Sequence, residues 1–205
     1  MSAYPHPLNL WGPSFYTTAE AAKILELAPS TLSRLGRDWE TSGGRVGLPR
    51  PKHGSRIFMK GAVLRYAQER AAKDLVERIY SAISRFASGL GKPLTPVSRF
   101  SFSCPKVEAD HDRNSRFYAH AGHDAWTGPN GVCMIPDIAR LPLAQVAGIV
   151  LHEVGHIQAG MAHPGNDEPA ADDWVRDNLG IEILYEPEVT LERLSPKDMR
   201  RLGLI

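Results

Sequence analysis

Cysteine is scarce in this chain, with only Cys104 and Cys133 among 205 residues. Two cysteines exclude the disulfide framework that staples small secreted domains, and the simplest expectation is a reduced, cytoplasmic protein. Long apolar runs are missing as well. The longest, Val146 to Leu151 with one glycine inside it, is far too short to span a bilayer. The opening Met1-Ser2-Ala3-Tyr4-Pro5-His6-Pro7 has neither a basic nor an apolar stretch, so no secretory signal is expected. Internal repeats and low-complexity segments are absent. What remains is 42% hydrophobic and 23% charged, which excludes a disordered or fibrous chain.

A large excess of either charge is also lacking, since the net is +1. That sum hides an asymmetry. Residues 1–75 hold 11 Lys/Arg against 6 Asp/Glu, and residues 76–205 hold 13 against 17. The split from +5 to −4 suggests two modules with different partners, the basic one suited to nucleic acid.

In the basic part, Phe15-Tyr16 leads into Thr17-Thr18-Ala19-Glu20-Ala21-Ala22-Lys23-Ile24-Leu25. Thr17 or Thr18 suits an N-cap, and Ala21, Ala22 and Leu25 recur at helical spacing. Glu26 to Pro29 breaks the pattern, and Ser30 is placed to cap a second helix through Trp39. Two short helices around a tight turn are the helix-turn-helix signature. The next stretch, from Gly43 to Phe58, is rich in Gly and Pro, carries Arg45, Arg50, Lys52 and Arg56, and ends in a strand-like Arg-Ile-Phe. It reads as a basic hairpin wing. A third helix is expected from near Met59.

The order "Tyr-Thr-Thr-Ala-Glu-Ala-Ala-Lys-Ile-Leu…Ser-Thr-Leu-Ser-Arg", then "Gly-Ser-Arg-Ile-Phe" and a helix, resembles the winged helix-turn-helix of the MerR and excisionase type over residues 15–70. The resemblance implies that Thr31, Ser33, Arg34 and Arg37 face double-stranded DNA in the major groove. It implies also that Arg45, Arg50, Lys52 and Arg56 meet phosphates. That family often binds DNA as dimers, so a homodimer is among its implications.

The helical pattern runs on toward Ser88. Leu75, Ile79, Ile83 and Phe86 share one face, and Gly89, Gly91 and Pro93 stop it. The expected organisation is a DNA-binding domain at 14–72, a connecting helix at 73–93 and a second domain at 94–205. The later half of the helix is equally placed to be the first helix of that second domain.

The sharpest motif lies there. His152-Glu153-Val154-Gly155-His156 sits in an apolar helical stretch opened by Pro142 and closed by Gly160. Two histidines four residues apart share one face of a helix and reach one metal ion. Glu153 then stands beside the metal, where a general base takes a proton from water. A helix apolar nearly all round is buried, and buried His, Glu and His need a partner.

A catalytic zinc wants a third protein ligand. Downstream, Glu168-x-x-Ala171-Asp172 falls on a helix capped by Asn166 or Asp167, with Pro169 in its first turn and Gly180 at its end. There Glu168 aims at the metal, and Asp172, one turn on, accepts from a ligand histidine. His163 competes for the third place, and Asp167 is a further option. The metzincin pattern His-Glu-x-x-His-x-x-Gly-x-x-His puts its last histidine one residue closer than His163, and its glycine where this chain has Ala159. Glu168 is preferred.

"His-Glu-x-Gly-His" followed by "Glu-x-x-Ala-Asp-x-Trp" and "Leu-Gly-Ile" resembles the minimal gluzincin metallopeptidases of the ImmA/IrrE type over residues 95–185. The resemblance implies an α+β fold, with a small sheet packed on the motif helix and on a glutamate helix. Phe100, Phe102 and Cys104 alternate, Arg116–His120 is strand-like, and Gly131–Ile135 precedes the motif helix. The last is expected to be the edge strand that takes an extended peptide. Tyr118, His120 and His123 are candidate donors to an oxyanion. Neither cysteine has metal-ligand spacing, so both are expected as small buried residues.

Together these readings describe a zinc endopeptidase tethered to DNA, with His152, His156 and Glu168 as ligands and Glu153 as base. The family implies a repressor-like substrate from a mobile element or stress response. Three other readings stay open. One is a transcriptional regulator with a structural or sensing zinc site and no proteolysis. The others are a SprT-like protease for DNA-bound proteins and a metallopeptidase toxin.

Overall fold

The computed structural model describes residues 15–42, 47–49, 57–102, 104–113, 118–121, 130–160, 168–185 and 191–205. The fold is mixed α+β and divides into two compact units, Met1–Ala67 and Gln68–Ile205.

In the first unit, strand β1 (Phe15–Thr17) leads into helix α1 (Thr18–Ile24). Thr17 is the N-cap. Its Oγ1 accepts from the Glu20 N–H at 3.3 Å, and the Glu20 carboxylate accepts from the Thr17 N–H at 2.8 Å. This reciprocal box satisfies two donors that a helix start leaves bare. Glu26, at φ 51, turns the chain out of α1. Helix α2 (Pro29–Thr41) follows, with Ala28 as N-cap and Pro29 in the first turn. Ser30 therefore does not cap it, and the helix runs past Trp39. A proline at the first position, whose missing N–H costs nothing there, starts the helix one residue ahead of the serine.

Strand β2 (Ile57–Met59) pairs antiparallel with β1, Tyr16 opposite Phe58. Ala21, Ala22, Leu25, Leu32, Leu48, Phe58 and Val63 form this unit's core. The wing residues Arg45, Arg50, Lys52 and Arg56 lie outside the described residues.

Helix α3 (Lys60–Gly89) is 30 residues long and begins in the first unit. From Ala72 onward it belongs to the second unit's core, where Ala72, Val76, Ile79, Ile83 and Ala87 are buried. The segment 73–93 falls within that unit. The chain then passes one end of the motif helix. There the Gln158 side chain holds both the Thr95 N–H and the Thr95 carbonyl at 2.8 Å.

Strands β3 (Arg99–Ser101), β4 (Ala119–Ala121) and β5 (Gly131–Met134) form a sheet in the order β3-β5-β4. Strand β5 is parallel to β3 and antiparallel to β4. Gly131–Ile135 is therefore the central strand, which corrects its expected place at the edge; β3 and β4 are the two edges. Strand order comes from pairing between distant segments, which a local pattern does not encode.

The sheet's residues alternate between two faces. Val132 and Met134 join the main core with helix α5 (Leu143–Gln158). Cys133 and Ile135 join a smaller cluster with Cys104, Val107 and Tyr118, under helix α4 (Pro105–Arg113). Cys104 and Cys133 are buried as expected, but they are joined in a disulfide. That corrects the expectation of two separate thiols. Cys104, just ahead of α4, closes over Cys133 with their Cα atoms 6.0 Å apart, within bonding range.

Helix α6 (Glu168–Leu179) ends at Gly180, whose φ of 60 is costly for any side chain. Strands β6 (Leu184–Tyr185) and β7 (Glu192–Arg193) make a two-stranded antiparallel ladder, and helix α7 (Pro196–Arg201) closes the described chain. Arg201 caps α6 from there: its guanidinium donates to the Gly180 carbonyl at 2.6 Å and the Leu179 carbonyl at 3.1 Å, and bonds Asp198 at 2.9 Å. Arg201→Ala is expected to cost about 1–2 kcal/mol by stripping these carbonyls of their cation. Chemical denaturation measures it, and an unchanged midpoint contradicts the capping role. No helix among the described residues is long and apolar enough to cross a membrane.

Candidate metal centre

Helix α5 is buried from Val146 to Gly155, with His152 3% and Glu153 7% exposed. Two glycines bring its partners close. At Gly148 a Cβ would stand 2.6 Å from the Arg193 backbone nitrogen, so β7 lies directly on the helix. At Gly155 a Cβ would stand 2.6 Å from the Ala171 carbonyl oxygen, so α6 crosses in backbone contact. That second crossing delivers Glu168 and Asp172, on either side of Ala171, to the histidine face.

The donor atoms converge. His152 Nε2 lies 2.8 Å from Glu168 Oε2 and 3.0 Å from His156 Nε2, and His156 Nε2 lies 3.4 Å from the same carboxylate oxygen. Tetrahedral sites with nitrogen and oxygen ligands at their usual bond lengths have ligand–ligand edges of about 3.3 Å. All three separations fall within about half an ångström of that value. Two imidazole nitrogens facing each other with a carboxylate are a donor set for a cation. Among the described residues, His152, His156 and Glu168 are the group that fits one. The alternative ligands His163 and Asp167 lie outside the described residues, as does the cap residue Asn166.

Behind the ligands, His152 Nδ1 meets Asp172 Oδ1 at 2.8 Å. Asp172 Oδ2 accepts in turn from the Tyr185 hydroxyl at 2.6 Å. The imidazole is thereby held with its proton on Nδ1 and Nε2 toward the metal position, as ligating histidines are. The sequence reading identified Asp172 and missed Tyr185. Tyr185 and its cross-strand partner Glu192 line a cavity of about 470 Å³ beside Glu168, with Asp172, Glu182 and Ile183.

Glu153 is not part of the ligand cluster. The Ala121 N–H on β4 donates to its Oε2. The Ile135 N–H donates to the Tyr118 carbonyl at 3.0 Å, which sets the ladder's phase. That phase turns the peptide groups of Ala119 and Ala121 outward, away from β5, and that of Ala121 meets Glu153 on α5. Tyr118 itself packs in the cluster around the disulfide, and His120 alternates with Ala119 and Ala121 to the sheet's other side. His123 is outside the described residues.

Electrostatics follow from this crowding. Burial pushes the Glu153 carboxyl up to about 7, against the pull of His152 and His156. Burial also disfavours the His152 cation, yet its bonds to Asp172 and Glu168 outweigh that and hold it protonated to about 10. The same histidines hold Glu168 far below the usual carboxylate range. A metal must therefore displace the His152 proton. Lower pH favours the protonated ring, so affinity for a divalent cation is expected to fall about tenfold for each unit the pH drops between 9 and 6. Titration against a competing chelator measures this, and an affinity flat from pH 7 to 9 contradicts it.

On the first unit, Arg34 and Arg37 are exposed on α2, opposite its buried Leu32 and Gly36. Thr31 and Ser33 flank them, half-buried. No family model, curated protein or solved structure matches this chain.

Proposed function

We propose that this chain is a zinc-dependent endopeptidase tethered to DNA, acting on a repressor-like regulatory protein. One observation carries the reading. A buried, non-ligating carboxylate, Glu153, stands between a three-donor metal cluster and the edge strand of a sheet. Three protein ligands among the described residues would leave a tetrahedral ion one open position, as at a catalytic site. A purely structural or sensing site has no use for a buried base beside it, which is why proteolysis is the better reading.

His152, His156 and Glu168 would hold zinc, which supplies a Lewis acid for the scissile carbonyl. The chain's own residues do the rest. Ala121 pins Oε2 of Glu153, leaving the other carboxylate oxygen to accept a proton from the attacking water and deliver it to the leaving amine. An extended substrate adds to the β4 edge, pairing with the outward Ala119 peptide group. In this reading the second unit is a small zincin-like domain.

The first unit is read as a winged helix-turn-helix. Its support is the order of α1, turn, α2 and the β1–β2 ladder, and the exposed Arg34 and Arg37. Thr31, Ser33, Arg34 and Arg37 would meet double-stranded DNA, with Arg45, Arg50, Lys52 and Arg56 on phosphates, as a monomer or a homodimer. Tethering raises the substrate's effective concentration near the cleft. A DNA tether puts the protein in the cytoplasm, a compartment that reduces exposed disulfides.

The test is incubation of a co-resident repressor with wild type and with Glu153→Gln, with and without operator DNA. Cleavage by wild type alone supports the reading. Equal cleavage by both overturns it.

A further inference from the structure

Beyond the motif residues, the chain carries a group that reaches the metal centre through another side chain. We propose that Tyr185 is a positioning residue of that centre: its hydroxyl fixes Asp172, and Asp172 fixes the His152 ring. The geometry is a continuous chain of bonds. The Tyr185 O–H donates to Asp172 Oδ2 at 2.6 Å, and His152 Nδ1 meets Asp172 Oδ1 at 2.8 Å. One carboxylate thus has an oxygen for each partner. Without the tyrosine, Asp172 loses the bond to its second oxygen, on a helix face that lines the cavity beside Glu168. The ring it steers would lose its fixed aim, and ligand groups so loosened bind metal more weakly.

The fold builds this contact deliberately. Ala144, Gly148 and His152 are spaced four residues apart, so they stack along one face of α5. The β6–β7 ladder rides on that face: the Leu194 N–H donates to the Ala144 carbonyl at 3.0 Å, and β7 touches the helix at Gly148. The register sets Tyr185 opposite Glu192, at the end of the ladder nearer His152. A strand pair with only two residues on each side has little stability of its own. Its seat on α5 makes Tyr185 a fixed support.

Tyr185 is also 41% exposed and lines the cavity, so direct contact with substrate is the competing role. The two roles separate by measurement. The inference rests on the metal reading of His152, His156 and Glu168, and does not need the proteolytic one. Zinc affinity is measured by chelator competition for wild type, Tyr185→Phe, Asp172→Ala and the double variant. Thermal unfolding of each metal-free protein is measured beside it. Tyr185→Phe keeps the ring and its packing, and is expected to weaken zinc binding about tenfold or more with the metal-free midpoint unchanged. In the Asp172→Ala background the same substitution is expected to add little, because the pair acts as one unit and the hydroxyl's own approach to His152 Nδ1 is long, 3.5 Å. The absorption bands of cobalt-loaded Tyr185→Phe are expected to shift as the His152 ring is freed.

Three results overturn the inference. One is wild-type zinc affinity in Tyr185→Phe, with only hydrolysis reduced, which makes the tyrosine a substrate contact. Another is full additivity of the two substitutions. The third is a wild type that takes up no zinc, which removes the metal reading itself; zinc uptake without proteolysis removes only the peptidase.

Discussion

Glu153→Gln is expected to lower peptide hydrolysis by about 10³-fold, the middle of the range for a lost general base, and to leave metal content intact. The amide has nearly the carboxylate's shape, and its oxygen still accepts from the Ala121 N–H, so the edge strand keeps its anchor. What it cannot do is take a proton. The ligand cluster does not include Glu153, so the metal has no reason to leave. Stability should hold or rise, because the wild type buries a carboxylate whose ionisation burial opposes. Initial rates on a cleaved substrate, with metal content determined on the same samples, measure this. Residual activity above about a tenth of wild type would remove Glu153 from the role of base.

Gly155→Ala should have the next largest effect, though no ligand is touched. In an exposed helix a Gly→Ala change stabilises by about 1 kcal/mol. Here the new methyl would stand 2.6 Å from the Ala171 carbonyl oxygen and 3.1 Å from its carbonyl carbon. Both are backbone atoms, so no side chain can swing aside, and the whole of α6 must retreat. Overpacking of this kind costs about 1–3 kcal/mol, a reversal of the usual sign. Helix α6 also carries Glu168 and Asp172, so the retreat pulls one ligand and one ring support from the histidines. Metal affinity is expected to fall about a hundredfold. Unfolding and chelator competition read the two consequences, and a variant as stable as wild type with full metal would refute the close crossing.

The parts legible in the sequence were those written in local spacing. His152 and His156 share a helix face by their separation alone, and Glu168 and Asp172 follow the same rule one helix later. The capping box at Thr17 and Glu20 is equally local. What escaped depends on distant pairing. Tyr185 and Glu192 sit on strands of two residues, too short to show any alternation, and the seat of β7 on Gly148 places them beside Glu168 and Asp172. The central place of β5 needed β3 and β4 to be paired with it. The Cys104–Cys133 bond needed the sheet to turn Cys133 toward α4. In α2 two local rules competed, and Pro29 prevailed over Ser30.

The most direct test is the metal content of purified wild type, His156→Ala, Glu168→Ala and His163→Ala, each after reconstitution with zinc. The account predicts about one zinc per chain in wild type and His163→Ala, and its loss in the other two. Zinc kept by Glu168→Ala but lost by His163→Ala would contradict the ligand set, and a wild type without zinc would contradict the centre altogether.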